Sequence, residues 1–104
     1  MAQGDITKEI EYDKIEVVNT WSIQVRKATK IMEEQSDGSK IELSRSFHRH
    51  VLYPCTSNKG SDGKWTHTAT DISGEDASVQ AIANAAWTDS VKTAYKAWRE
   101  SIDI

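Results

Sequence analysis

The chain has 104 residues and a formal charge of −3, which fits one domain that buries roughly two-thirds of its unfolded surface. The acidic balance argues against a dedicated nucleic-acid binder, which is usually basic, and no apolar run reaches the about 20 residues that span a bilayer. The N-terminus has neither a basic nor an apolar segment, so we expect no signal peptide. The single cysteine, Cys55, excludes an internal disulfide. We therefore predict a single domain over residues 1–104.

The first predicted element is a strand over residues 6–18. Its apolar residues change from even to odd positions near Asp13, which predicts a bulge or break there. The opposite face of this strand is acidic. If the strand pairs with the next one, we expect its carboxylates to lie beside Arg26 and Lys30. The acidic residues are Glu9, Glu11 and Asp13.

Residues 21–34 and 40–53 alternate in polarity and predict two strands of a long β-hairpin. A two-residue Asp-Gly loop would set odd positions against even ones and divide the apolar face. A three-residue loop at residues 36–38 (Ser-Asp-Gly), with its glycine left-handed, instead places Ile31 opposite Leu43. We therefore predict the three-residue loop and one shared apolar face.

The C-terminal half is predicted to be a loop followed by a helical segment. Residues 54–72 are rich in Ser, Gly, Asn and Thr and indicate a loop, with a possible short fourth strand over residues 64–69. Residues 74–101 carry apolar residues at steps of three and four, which predicts a helix capped by Ser73. Alternatively, Thr88 and Asp89 cap a second helix, with a kink at that point. The predicted class is α+β, an antiparallel meander of three or four strands with a long, straight or kinked, C-terminal helix packed on one face.

His48 and His50 are the main candidates for metal ligands. Because they are two positions apart in a strand, both imidazoles project from one face. The preferred interpretation is two solvated histidines and no cofactor. The alternatives are a metal ion shared between subunits and a zinc site completed by Cys55 and His67, whose spacing matches no compact zinc motif. No motif for a nucleophile or a phosphate loop is present, so we predict no catalytic residues.

Two sets of residues are candidates for binding partners. Cations within the nominally apolar sheet face and aromatic or apolar residues outside the predicted core favour contact with another protein. This predicted interface comprises Arg45, Arg49, Trp65, Trp98 and Ile102. The alternative is a nucleic-acid-binding face formed by Arg26 and Lys30.

Three segments resemble a small protein carried in the virion-structure gene modules of tailed, mainly aquatic, bacteriophages, over about residues 10–98. They are Gln24-Val-Arg-Lys-Ala-Thr29, Ser44-Arg-Ser-Phe-His-Arg-His-Val51 and Val79-Gln-Ala-Ile-Ala-Asn-Ala-Ala-Trp-Thr-Asp89-Ser-Val91. The resemblance implies a non-enzymatic virion component, a tail fibre, hub, adaptor or decoration subunit made in the host cytoplasm. It would act as a homo-oligomer, a trimer or larger, in contact with other virion proteins and not with a membrane. The alternative is a small accessory protein that binds nucleic acid or a ligand.

Overall fold

The computed structural model describes residues 4–102, which form an α+β fold, as the sequence predicts. A three-stranded antiparallel sheet has the order β1-β2-β3, and a separate two-stranded sheet pairs β4 with β5. Two helices follow. The elements are β1 (Ile6–Val18), β2 (Ser22–Glu34), β3 (Lys40–Leu52), β4 (Cys55–Lys59), β5 (Trp65–Ala69), α1 (Ala77–Ala86) and α2 (Asp89–Ser101).

The contacts divide the chain into two compact units. The strand unit consists of the residues up to Ile15 together with Val25–His50. The helical unit consists of Glu16–Gln24 and the residues from Val51 onward. The boundaries fall within β1, β2 and β3, so both units contain parts of the long strands.

In the strand unit, the loop between β2 and β3 has the predicted three-residue form. The Gln35 amide donates to the Ser39 carbonyl over 2.7 Å, and the Gly38 amide donates back to Gln35 over 3.0 Å. Gly38 has a φ of +88°, and Asp37 accepts from the Ser39 amide over 2.9 Å. These bonds confirm the register that the sequence predicts at the turn.

The helical unit contains a second hairpin where the sequence predicted a loop. The amide of Gly60 donates to the carbonyl of Lys64 over 2.7 Å, and Gly63 has a φ of +82°. Residues 61–63 are again Ser-Asp-Gly, so the two hairpins turn in the same way. The possible strand over residues 64–69 is therefore present as β5, but the loop prediction missed β4, and β5 pairs with β4 rather than joining the main sheet.

The helical segment predicted over residues 74–101 is two helices. Trp87 caps the C-terminus of α1, and the Thr88 side chain accepts from the Val91 amide over 3.3 Å to begin α2. The N-cap of α1 is Asp76, which accepts from the Ser78 amide, so Ser73 is not the cap. Neither of these described helices has the length and apolarity needed to cross a membrane.

The core of the helical unit consists of side chains from its strand segment and both helices. Ile23 and Val79 are fully buried, and Trp87 and Tyr95 are 8% and 5% exposed. The Trp87 indole N–H donates to the carbonyl of Trp21 over 2.8 Å. This bond satisfies the polar atom of a buried indole, as burial requires.

The strand unit has a smaller core. Its sheet also lacks the single continuous apolar face that the sequence predicts. Among its described residues the buried apolar side chains are Val25 and Ala28, an odd and an even position of β2. The alternation therefore changes once within β2. The Arg26 guanidinium lies 4.5 Å from the centre of the Phe47 ring, so Phe47 shares a face with Arg26. The expectation of one continuous apolar face is wrong for this reason.

Candidate interaction surfaces

The outer side of β3 is the most exposed surface of the strand unit. Among the described strands only β2 pairs with β3, so β3 is an edge of the sheet. Every residue from 40 to 49 is exposed, including three large apolar side chains. Ile41, Leu43 and Phe47 are 47%, 50% and 41% exposed. We call this stretch, residues 40–50, the β3 edge; it combines half-exposed apolar side chains with a strand that, among the described strands, pairs on one side only.

The two arginines predicted to lie at a partner interface are both on the β3 edge. The Arg45 guanidinium contacts the Glu42 carboxylate at 2.7 Å, and hydrogen bonding to it lowers the pKa of Glu42. Arg49 lies 5.3 Å from the centre of the Phe47 ring. The charges are exposed and of both signs, so this surface is not a uniform basic patch.

Ion pairs occupy the polar face between β1 and β2. The Arg26 guanidinium donates two hydrogen bonds to Asp13, at 2.8 and 3.0 Å, and the pKa of Asp13 is lowered mainly by this bond. Lys30 donates to Glu11 over 3.0 Å. These contacts confirm the carboxylate–cation pairs expected from the sequence. They also neutralise the two cations on which the alternative nucleic-acid face depends.

The imidazoles of His48 and His50 are neighbours, as their spacing predicts. Their ring centres are 5.9 Å apart, with the ring planes inclined by 36°. Within residues 4–102, no group of three or more His, Cys, Asp or Glu side chains is arranged to hold a metal ion. A metal site shared between subunits at these histidines stays a prediction.

In the helical unit, three aromatic side chains form a cluster around Tyr95. Tyr95 lies 5.5 Å from Trp21 in an edge-to-face arrangement, and 6.0 Å from Tyr53, with which it stacks. Trp98 lies 5.9 Å from Tyr95 and is 41% exposed. An open cleft of about 380 Å³ lies beside this cluster, with Arg99 at its wall. Trp98 is thus both a packing residue and an exposed one, and its place at an interface stays a prediction.

Of the other predicted interface residues, Trp65 is partly covered and Ile102 is exposed. Trp65 stacks on His67 with ring centres 6.0 Å apart, and the Arg99 guanidinium lies 6.0 Å from its ring. Ile102, at the C-terminal cap of α2, is 44% exposed. No arrangement of these side chains identifies a partner.

A chain of hydrogen bonds that sequence reasoning missed joins the second hairpin to α2. The Ser57 hydroxyl lies 2.7 Å from Nδ1 of His67, and Nε2 of His67 lies 2.8 Å from Glu100. Because a carboxylate only accepts, Nε2 of His67 donates to Glu100, and Nδ1 shares the second hydrogen bond with the Ser57 hydroxyl. Ser57 faces His67 directly across the hairpin, a pairing that the second Ser-Asp-Gly turn would have predicted. The chain holds the hairpin against α2.

Comparisons with protein-family models, curated proteins and solved structures found no match to this chain.

Proposed function

We propose that the protein is a structural subunit that works by protein–protein contact in a symmetric homo-oligomer. The observation that carries the proposal is the β3 edge, which belongs to a 13-residue edge strand and is exposed along residues 40–49. Strands in globular proteins usually have 3–10 residues, and a long exposed edge offers its unpaired backbone groups as a template for pairing with another strand. Pairing would satisfy the backbone donors and acceptors of β3 and remove its apolar side chains from water.

The resemblance to phage virion-module proteins supports a virion as the assembly in which this subunit acts. There it would serve as a tail fibre, hub, adaptor or decoration subunit that contacts other virion proteins. This role requires no catalytic residue and no cofactor. The alternative, a nucleic-acid- or ligand-binding accessory protein, stays a prediction, and the ion pairs of Arg26 and Lys30 do not favour it.

Native mass spectrometry of the untagged protein over a range of concentrations tests this proposal. We expect an oligomer in the wild type and a shift towards monomer in Leu43→Glu, because the substitution places a charge on the apolar part of the β3 edge. Thr93→Glu is the matched control, since it adds the same charge at an exposed position of α2. It should leave the oligomer unchanged.

The unfolding free energy of each variant should be measured alongside the masses. Since Leu43 is half exposed, its replacement should change the stability of the isolated subunit by only about 0.5 kcal/mol. A wild-type protein that stays monomeric at all concentrations would contradict the proposal. Equal dissociation by both substitutions would place the contact elsewhere than at Leu43.

A further inference from the structure

We propose that two copies of the chain pair antiparallel along their β3 edges, about a two-fold axis that passes beside Ser46. This inference rests on the proposed function and names the partner as a second copy and the contact as a strand pair. The result would be a continuous six-stranded sheet in the order β1-β2-β3-β3-β2-β1, in which the only new backbone pairing joins the two edges.

Symmetry limits the registers that such a pair can adopt. A two-fold axis between antiparallel edge strands stands perpendicular to the sheet, so each side chain keeps its own face in both copies. Residues directly opposite each other also share a face. A residue can therefore face only residues of its own parity, and the axis must pass beside a residue rather than between two.

Two criteria place the axis at Ser46 rather than at its neighbours: like charges must not lie opposite each other, and the paired length of the two strands should be as large as it can be. An axis at Arg45 places that guanidinium opposite its own copy. An axis at Phe47 places Arg45 opposite Arg49 of the other copy. Like charges directly opposite each other destabilise a strand pair. An axis at Ser46 places Arg45 opposite the second Phe47, and because Ser46 is the midpoint of β3 it also gives the largest overlap.

The side chains around Ser46 leave room for a second strand. Ser44 and Ser46 are small, and residues 44–49 are all exposed. The strand contains no proline, the residue that would remove a backbone donor from the new ladder. Arg26 and Arg49 already lie over the Phe47 ring, so this ring tolerates a neighbouring guanidinium.

Disulfide cross-linking at single introduced cysteines tests the register. In the proposed pair the two Ser46 Cα atoms lie about 4.5–5.5 Å apart, within the range a disulfide spans. The variant Ser46→Cys should therefore form a covalent dimer under mild oxidation. Ser44→Cys is the matched control: the two copies of this residue lie four positions apart along the strand, or about 13 Å, so it should not cross-link.

A mixed sample gives a second readout that does not depend on Ser46. Because Ser44 lies opposite His48 of the other copy, an equal mixture of Ser44→Cys and His48→Cys proteins should give mixed covalent dimers and few homodimers. Cys55 stays in every variant and is 6% exposed, so it contributes the same background throughout. Gel mobility without reductant and intact mass identify each species.

The outcomes separate this inference from the proposed function. A trimer by native mass spectrometry, or an oligomer in which Ser44→Cys cross-links as well as Ser46→Cys, would overturn the β3 pairing and leave self-association intact. A monomer at every concentration would overturn both. Cross-linking confined to Ser46→Cys and to the mixed sample, in a dimer or an even-numbered oligomer, is the expected result.

Discussion

The strand unit and the helical unit differ in the size of their buried cores, although both leave large apolar side chains exposed, such as Leu43 and Tyr53. The helical unit covers its strand segment with its own helices, so Ile23, Val79 and Ala83 are fully buried. In the described part of the strand unit, large apolar side chains on both edge strands stay half exposed, such as Ile10 at 53% and Leu43 at 50%. The two units use the same turn and the same kind of strand, so the difference lies in what covers them.

This difference indicates which unit contributes more to the stability of the fold. Buried apolar surface stabilises a domain by about 25 cal/mol per Å², and the helical unit has most of it. The strand unit has few buried apolar side chains, and its partly exposed ion pairs, Arg26–Asp13 and Lys30–Glu11, add little stability. The comparison therefore assigns most of the buried apolar surface to the helical unit, and the association that we propose involves the strand unit.

The largest effect should follow from truncating the helical core at Trp87. Trp87→Ala removes a buried indole and its hydrogen bond to the Trp21 carbonyl, and should lower the unfolding free energy by about 3–5 kcal/mol. Urea unfolding followed by circular dichroism measures this loss. Trp98→Ala, at a 41% exposed position, is the matched control and should cost less. Equal losses would mean that burial does not distinguish the two tryptophans.

Replacing the glycine of either Ser-Asp-Gly turn should lower the unfolding free energy by a smaller amount. The loss should be the same in both units, because the two turns are alike. Gly38→Ala and Gly63→Ala each force a methyl-bearing residue into a positive φ, and nothing lies within 4 Å of the added carbon. The cost is therefore backbone strain of about 1 kcal/mol per site. Gly74→Ala has neither strain nor a close contact and should stay within about 0.5 kcal/mol of wild type in the same urea assay. A loss at Gly74 as large as at the turns would refute this account.

The smallest effect should come from the Asp13–Arg26 pair and should depend on pH. The pKa of Asp13 in the folded chain lies below its ordinary value of 3.8, mainly because of the Arg26 hydrogen bond. The contribution of the pair is therefore complete above pH 3.8 and is lost as the pH falls through the lowered pKa. The stability difference between wild type and Asp13→Asn should shrink in that acid range. In an Arg26→Gln protein, adding Asp13→Asn should change the unfolding free energy by an amount that does not depend on pH in this acid range.

Sequence patterns predicted the elements whose determinants are local. The Ser-Asp-Gly loop fixes the pairing of Gln35 with Ser39, and the acidic alternation in β1 places Asp13 beside Arg26. The second hairpin escaped prediction because β4 is short and polar, although residues 61–63 repeat the first turn. The end of α1 at Trp87 depends on a tertiary bond to Trp21 as well as on the cap at Thr88.

The candidate surfaces were less predictable, because an apolar residue in a strand does not reveal what covers it. Leu43 was expected to lie on the shared apolar face and is instead 50% exposed. The change of alternation within β2 has no marker such as proline or glycine, so the placement of Phe47 beside Arg26 could not be derived. The bond from His67 to Glu100 spans 33 positions in sequence and likewise has no local signal.

Amide hydrogen exchange at low and high protein concentration tests the central claim most directly, since it compares the edge strand with its central neighbour. The account predicts that peptides from Lys40–Leu52 become more protected as concentration rises, whereas peptides from Ser22–Glu34 stay equally protected because β2 is already paired on both sides. Unchanged exchange in β3 under conditions in which the protein is oligomeric would contradict the claim that the β3 edge is the surface of association.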